Sequence, residues 1–194
     1  MTRKFKVVSL VRKMGVCLVG TLFLAGAFLG YRQVSGNFHA VVKGEVYRAA
    51  QPTADQVTRY VQENGIRSIL DLRGAPGPQS PRFQAEYVTA QKLGVAHYEF
   101  RMSARKQLTQ EEAAQLIDIM RKAEKPLLIH CQAGADRSGL ASALYLAAIA
   151  NESEGKAEGQ LSFWYGHISL PISEAFAMDM TWEKLEPWLG FPNS

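Results

Sequence analysis

The residues most capable of chemistry in this chain lie in the stretch LLIHCQAGADRSGLASAL, residues 127–144. Cys131 follows an apolar run, and Arg137 comes six residues later. A cysteine thiolate is a strong nucleophile, and a guanidinium offers a planar set of donors that can bind two oxygens of one phosphate group. The spacing of these two side chains therefore predicts nucleophilic attack on a phosphate ester.

The elements around Cys131 must hold these groups together. PLLIH is typical of a buried strand and the residues from Ser138 onward are typical of a helix, so CQAGADR is predicted to form a tight strand-to-helix loop. Gly134 allows a backbone conformation in which successive N–H groups point inward, and the helix N-terminus adds the positive end of its dipole. Such a loop stabilises both a bound phosphate and the thiolate of Cys131. The expected reaction passes through a phosphocysteine that water hydrolyses.

Strand-like and helix-like segments alternate along the rest of the chain. VVKGEVYRAAQP is predicted to be a strand pair, IRSILDL, VAHYEF and PLLIH to be strands, and TADQVTRYVQENG, PRFQAEYVTAQKLG and TQEEAAQLIDIMRKAE to be helices, with Thr109 and Glu112 forming a capping box. This alternation predicts an α/β fold with a central, mostly parallel sheet flanked by helices. Ligands of such sheets bind at the carboxyl ends of the strands, where His130 and Cys131 lie. Covering helices are expected after Glu154.

A basic leader precedes an uncharged run of eighteen residues, Met14–Tyr31. This run is barely long enough to cross a bilayer, and Ala25-Gly26-Ala27 resembles a signal-peptide cleavage site. We expect a signal anchor or transmembrane helix in residues 1–32, a linker in residues 33–40 and a catalytic domain in residues 41–194. The basic residues predict that the domain is membrane-anchored outside the cytoplasm, on the periplasmic side, or exported if the leader is cleaved.

The loop resembles the HCxxGxxR(S/T)G signature of the cysteine-dependent protein tyrosine phosphatases. The matching residues are His130, Cys131, Gly134, Arg137, Ser138 and Gly139. VYRAAQP and GIRSILDLRG look like corresponding segments of the smaller, dual-specificity-like members, especially bacterial ones. The resemblance covers roughly residues 41–150, and it implies a dual-specificity-phosphatase-like fold.

This resemblance implies a role for each residue of the loop. Cys131 would be the nucleophile, Arg137 the phosphate clamp, and Ser138 the donor of a hydrogen bond to the sulfur as it leaves the phosphocysteine. His130 would orient the loop from beneath by bonding to backbone groups. The phosphate would be bound by Gln132, Ala133, Gly134, Ala135, Asp136 and Arg137.

The chain departs from the family pattern at the general acid, which must protonate the leaving-group oxygen. The family usually supplies an Asp from a loop after an earlier strand, but the corresponding stretch YEFRMSARKQLTQEE contains no Asp and has Arg105 and Lys106 there instead. Asp136 is the nearest replacement, because some bacterial and lipid-directed relatives carry an acid at this loop position. Its alternative roles are to hold Arg137 or to cap the following helix. Two further candidates are Glu99 and Glu111.

Three functions remain open from the sequence. The first is hydrolysis of phosphotyrosine, and possibly of phosphoserine or phosphothreonine as well, on proteins. The second is hydrolysis of a phosphoinositide or inositol phosphate, which the absence of Lys at the variable loop positions Gln132, Ala133 and Ala135 disfavours. The third is a catalytically weak phosphotyrosine-binding module, which the missing acid suggests. The expected partner is a phosphorylated protein or a small phosphate monoester.

Several other classes of function receive no support from the sequence. A cluster of Lys and Arg interleaved with aromatic residues is missing from the predicted domain, so nucleic acid is not an expected partner. His97 and His167 have no metal-ligand spacing to each other or to a Cys, so we expect no metal. The predicted mechanism needs no cofactor.

Overall fold

The computed structural model describes residues 2–74 and 80–192, and the contacts divide the chain into two units after Ser35. The first unit is helix α1, Thr2–Val34. Its segment Lys13–Arg32 has a mean hydropathy of 1.9 and is long and apolar enough to cross a membrane, a property that signal sequences share. The predicted linker, residues 33–40, contains the end of this helix and the start of the first strand. Residues 75–79 and 193–194 of the predicted domain lie outside the described residues.

The second unit contains one five-stranded sheet. Its strands are β1 (His39–Val42), β2 (Val46–Ala50), β3 (Ser68–Asp71), β4 (Ala96–Glu99) and β5 (Leu127–Cys131). Their order is β1-β2-β5-β3-β4. β1 pairs antiparallel with β2, and the other three pairs are parallel. The strands predicted from the sequence are thus found, and the fold is mixed α/β with a sheet flanked by helices.

Six helices follow α1 in the described residues. They are α2 (Ala54–Asn64), α3 (Pro81–Lys92), α4 (Gln110–Lys122), α5 (Asp136–Ala148), α6 (Glu154–Glu158) and α7 (Ala177–Leu189). The predicted capping box of Thr109 and Glu112 is confirmed at the start of α4. α2 begins with the same device at Thr53. These side chains satisfy backbone N–H groups that have no partner inside the helix, which fixes where each helix starts.

The register of the sheet gathers the carboxyl ends of the central strands. Ala50, the last residue of β2, pairs with Cys131, and Asp71, the last residue of β3, pairs with His130. All residues of β5 are buried. α5 is buried on every side from Ser138 to Ala147, as expected of an apolar helix enclosed by the sheet and by other helices. The loop between β5 and α5 is therefore held at both ends by the core.

The C-terminal region only partly forms the predicted covering helices. α7 does cover the core through Met178, Trp182 and Leu185. Residues 159–176, here called the C-terminal loop, contain instead two short 3-10 turns, Phe163–Tyr165 and Glu174–Phe176. Gly166 follows the first turn with a φ of 87°, a left-handed conformation that ends the turn and prevents a helix from continuing.

Candidate active site

The loop from Cys131 to Arg137, here called the signature loop, packs directly against the end of β2. Gly134 has a φ of 70°, a conformation that residues with a Cβ resist. A Cβ at Gly134 would also lie 2.4 Å from the backbone nitrogen of Ala50. Both constraints require glycine at this position.

Arg48 of β2 holds the signature loop from its outer side. Its guanidinium is fully buried, and Nη2 donates hydrogen bonds to the carbonyls of Gly134 and Ala135 at 3.0 and 2.7 Å. Nη1 donates to the carbonyl of Gln160 at 2.7 Å. Burial lowers the pKa of Arg48 to about 10, against the attraction of the Cys131 thiolate and other anionic groups, so the guanidinium remains charged at neutral pH. The carbonyls of Gly134 and Ala135 thus face Arg48.

Backbone N–H groups and a hydroxyl surround the sulfur of Cys131. The thiol is 2% exposed, and its Sγ lies 3.5 Å from Oγ of Ser138. Burial alone would raise the pKa of Cys131. The charge of Arg137, the Ser138 hydroxyl and the N–H groups of Ser138 and Gly134 outweigh this effect and lower the pKa below its usual value. These surroundings favour the thiolate form of Cys131.

Arg137 contacts the segment between β4 and α4. Its Nη1 donates to the carbonyl of Met102 at 3.4 Å, and Met102 N–H donates to the carbonyl of Leu72 at 3.2 Å. This segment, residues 100–109, is where the family usually carries the general acid, and it contains no carboxylate. Arg105 pairs there with Glu174 of the C-terminal loop at 2.7 Å, with both side chains exposed.

Asn37 ties the signature loop to the C-terminal loop. Its Nδ2 donates to the carbonyls of Ala133 and Gly134, both at 3.1 Å, and to the carbonyl of Tyr165 at 2.8 Å. Asn37 is buried, although the sequence places it in the predicted linker. Of the three variable loop positions, Gln132 is the exposed one, so its side chain is available to a substrate.

His130 lies beneath the loop, but its ring does not bond the loop backbone as expected. Its Nε2 lies 2.8 Å from Oε1 of Glu86 on α3, and the same oxygen lies 3.0 Å from Nε2 of His97 on β4. We call these three residues the Glu86 cluster. His130 bonds Glu86 rather than the loop because a fully buried imidazole gains more from a buried carboxylate than from a neutral carbonyl.

The Glu86 cluster places a buried ion pair beside the signature loop. Burial lowers the pKa of His130, but the charge of Glu86 and its hydrogen bond outweigh burial and raise it to about 8. Burial likewise raises the pKa of Glu86, and the two imidazoles bring it down to about 2. At neutral pH the pair is ionised, and the His130 imidazolium lies next to Cys131 in the chain.

By donor type, the Glu86 cluster is also the group that could hold a metal ion among the described residues, with its ligand atoms within 4.8 Å of one another. Its N–O distances of 2.8 and 3.0 Å are those of hydrogen bonds. A bound Zn²⁺ would lie about 2.0–2.2 Å from each ligand atom and spread the ligands apart. The geometry therefore fits a hydrogen-bonded cluster better than a metal centre.

The side chain of Asp136, the candidate acid, makes a hydrogen bond with neither Arg137 nor a backbone N–H at the start of α5. It is the first residue of α5, and its Oδ1 lies 2.8 Å from Nδ1 of His167. Nε2 of His167 lies 2.9 Å from Oδ2 of Asp179 on α7. We call these residues the His167 cluster. Both ring nitrogens of His167 have a hydrogen-bond partner, and the residue connects the signature loop to the C-terminal region.

Four residues that shape the site, Arg48, Glu86, Asn37 and Asp179, are not among the residues predicted from the sequence. Arg48 carried one signal, because a charged residue in the apolar run VYRAA must be exposed at the sheet edge or buried with partners. Glu86 and Asp179 lie within amphipathic helices, where the sequence does not distinguish them from surface carboxylates.

Comparisons with solved structures agree with this fold. TpbA of P. aeruginosa is 17% identical, with a TM-score of 0.64 over 82% of this chain and 92% of that chain. The core catalytic domain of the PP-IP phosphatase Siw14 from S. cerevisiae is 20% identical, with a TM-score of 0.59 over 81% and 94%. PTPMT1 is 19% identical, with a TM-score of 0.57 over 78% and 97%. At these identities the likeness shows the fold.

A sequence comparison with curated proteins finds no match. A family model described as "Tyrosine phosphatase family" matches residues 28–155, more than half of the chain. The match includes the strand, loop and helix that surround the buried Cys131 and Arg137. The chain therefore belongs to the tyrosine phosphatase family, within the cysteine-dependent protein tyrosine phosphatase superfamily.

Proposed function

We propose that this phosphatase hydrolyses phosphotyrosine on proteins through a phosphocysteine intermediate, with Asp136 as general acid. The observation that carries the proposal is the surrounding of Cys131: a buried thiol whose pKa is lowered chiefly by the Arg137 charge, against the effect of burial. A group that stabilises a thiolate in this way also stabilises the dianion of a phosphate monoester.

In the first step the thiolate of Cys131 attacks phosphorus and the bond to the leaving oxygen breaks. Arg137 binds the phosphoryl oxygens, and the inward N–H groups of the signature loop follow the negative charge into the transition state. Asp136 gives a proton to the leaving oxygen. Without that proton, a phenolate would have to leave as an anion, which slows the reaction about 10²–10⁴-fold in enzymes of this kind.

In the second step water attacks the phosphocysteine, and the Cys131 sulfur leaves as a thiolate. The Ser138 hydroxyl, 3.5 Å from Sγ, donates a hydrogen bond that stabilises the departing sulfur. Asp136, now a carboxylate, takes a proton from the attacking water and is ready for another cycle.

The choice of substrate rests on the variable positions of the loop. Gln132, Ala133 and Ala135 carry no positive charge, so the loop is suited to a single phosphate. TpbA has been crystallised with pTyr, which favours phosphotyrosine here. PTPMT1 has been crystallised with PI(5)P, and Siw14 is a PP-IP phosphatase, so an inositide substrate is the second candidate.

We further propose that α1 anchors the enzyme in a membrane with the catalytic unit outside the cytoplasm. Support comes from the apolar segment Lys13–Arg32 and from the basic residues that precede it. The test is protease treatment of bacterial spheroplasts that express the full chain. Digestion of the catalytic unit from outside is expected, and full protection would contradict the proposed orientation.

The catalytic proposal is tested with the full chain in detergent. Phosphate release is measured from a phosphotyrosine peptide, a phosphoserine peptide and PI(5)P vesicles, with Cys131→Ser as the inactive control. We expect the phosphotyrosine peptide to have a kcat/KM at least about tenfold above the others, and Cys131→Ser to lower its kcat by about 10⁴-fold or more. A higher rate on PI(5)P would favour the second candidate, and binding without turnover would favour a phosphotyrosine-binding module.

A further inference from the structure

His167 lies between two carboxylates inside the protein. Its side chain is fully buried, while those of Asp136 and Asp179 are 27% and 13% exposed. Both ring nitrogens face carboxylate oxygens, at 2.8 Å on the Asp136 side and 2.9 Å on the Asp179 side. The imidazole thus connects the first residue of α5, in the signature loop, with α7.

The two N–O contacts of His167 require two protons. Each of the two N–O contacts is attractive only if it contains a proton, since a bare ring nitrogen and a carboxylate oxygen repel each other through their lone pairs. A neutral imidazole supplies one proton, so a second must lie between Asp136 and Nδ1 of His167. Burial lowers the pKa of His167, but the two carboxylates outweigh burial and raise it above its ordinary value. The second proton is therefore held more tightly than by an isolated imidazole.

Other contacts already dock the C-terminal loop to the signature loop. Asn37 bonds the carbonyl of Tyr165, and Arg48 bonds the carbonyl of Gln160. A neutral side chain at position 167 could fill the same space without holding a proton. Docking alone thus gives no reason for an imidazole between two carboxylates.

We propose that His167 is a positioning residue that keeps the transferable proton on its hydrogen bond with Asp136, while Asp179 holds His167 in place. This inference rests on the proposed role of Asp136 as general acid. An isolated aspartic acid is ionised at neutral pH and has no proton to give. The pair of Asp136 and His167 retains one, so the acid is the pair rather than the carboxyl group alone.

The pair of Asp136 and His167 gives up one proton in the first step of the reaction and regains it in the second. When the P–O bond breaks, the shared proton passes through the Asp136 carboxyl to the leaving oxygen, and the unprotonated Nδ1 of His167 then faces a carboxylate. This repulsion raises the affinity of the pair for a proton. Asp136 therefore becomes a better base for the water that attacks the phosphocysteine, and that water returns the proton to the pair.

The groups that face the cluster set its pH response. They are Asp136 at the start of α5, Asp179 on α7, and the Arg48 guanidinium from β2, whose charge is felt by Asp136. The two carboxylates favour the protonated imidazole, and the guanidinium opposes it. Loss of the shared proton is expected to appear as the alkaline limb of the kcat profile for a substrate with a poor leaving group.

The test compares leaving groups in the full chain. Phenyl phosphate needs a protonated leaving oxygen, whereas dinitrophenyl phosphate does not. We expect His167→Gln to lower kcat/KM for phenyl phosphate about 10–100-fold, to leave the value for dinitrophenyl phosphate within about twofold, and to shift the alkaline limb for phenyl phosphate to lower pH. The matched control is Thr181→Val, which removes a buried bond from α7 to Leu108 N–H and should not change the ratio of the two rates.

Each outcome decides between the assignments. An equal fall on both substrates means that His167 only docks the loop, and no fall means that it has no role; either overturns the inference. If Asp136→Asn leaves phenyl phosphate hydrolysis unchanged while Cys131→Ser abolishes it, the acid assignment fails and the phosphatase mechanism stands. If Asp136→Asn impairs the reaction and His167→Gln does not, the inference fails alone.

If the variants fail to fold, a measurement on the unmodified enzyme can still test the inference. The ¹⁵N shifts of the His167 imidazole report whether each ring nitrogen carries or shares a proton. We expect both nitrogens to do so at neutral pH. An Nδ1 with the shift of a bare nitrogen would overturn the inference.

Discussion

Two buried histidines touch the signature loop from different sides, and they are held in different ways. His130 belongs to the central strand β5 and forms a hydrogen bond with Glu86 within the folded core, where both side chains are fully buried. His167 comes from the C-terminal loop and bonds two carboxylates that keep partial contact with solvent. The Glu86 cluster is thus enclosed in the core, whereas the His167 cluster lies where it can exchange a proton.

This difference in burial predicts a difference in energetic role. Ions removed completely from water depend on each other, so the loss of one leaves an unpaired buried charge. Ions that keep some solvent lose less when a partner is removed. The Glu86 cluster should therefore govern stability, and the His167 cluster should govern proton transfer. Three measurements test this division.

The largest effect is expected from Glu86→Gln. The substitution removes the nearest counter-charge of the buried His130, because the next carboxylate, Asp71, lies 3.9 Å from Nδ1. It should lower the free energy of unfolding by about 3–5 kcal/mol. Urea denaturation of the full chain in detergent measures this. Glu124→Gln is the control, because Glu124 pairs with Arg67 at 3.0 Å on the exposed surface and should cost less than about 1 kcal/mol. Equal losses in both variants would remove the distinction between buried and exposed pairs.

The pH dependence of stability should show the same cluster in the unmodified protein. The pKa of His130 rises from 6.5 to about 8 on folding, so its contribution is full below pH 6.5 and is lost as the pH rises through 8. The pKa of Glu86 falls from 4.5 to about 2, so its contribution is full above pH 4.5 and is lost as the pH falls through 2. Both contributions are therefore complete between pH 4.5 and 6.5.

The measurable consequence is a decline in unfolding free energy between pH 6.5 and 8.5 of about 2 kcal/mol from His130. Denaturation curves at a series of pH values test it. The decline should shrink in Glu86→Gln, where His130 no longer gains a proton on folding. A stability that is flat over this range in the unmodified protein would mean that folding does not raise the pKa of His130.

The signature loop and the two histidine clusters differ in how much of each the sequence could predict. Cys131, Gly134 and Arg137 lie within seven consecutive residues, and the strand before them and the helix after them have clear hydrophobic patterns. Their arrangement can therefore be predicted from local spacing alone, without any contact between distant segments. The capping box at Thr109 was predictable for the same reason, since all its atoms belong to one turn.

Contacts between distant segments could not be predicted in this way. Glu86 meets His130 only because α3 packs on the sheet, and Asp179 meets His167 only because α7 folds back over α5. Each of these carboxylates lies in a helix whose pattern is compatible with exposure. Burial and partners are properties of the tertiary packing, and one sequence without its fold does not contain the distance of 2.8 Å between His130 and Glu86.

The smallest effect is expected from Asp179→Asn, which tests the role of the His167 cluster. The amide oxygen can still accept the hydrogen bond from Nε2 of His167, so the geometry is kept and only the charge is lost. Stability should change by less than about 1 kcal/mol.

The pKa of His167 should fall, because Asp179 is one of the two carboxylates that raise it, and an NMR titration of the imidazole measures the change. A weaker hold on the shared proton should lower kcat/KM for phenyl phosphate by about two- to fivefold, with Asp118→Asn on the exposed face of α4 as the control. A loss of stability as large as that of Glu86→Gln would show that both clusters stabilise the fold to the same extent. The division between a cluster for stability and a cluster for proton transfer would then not hold.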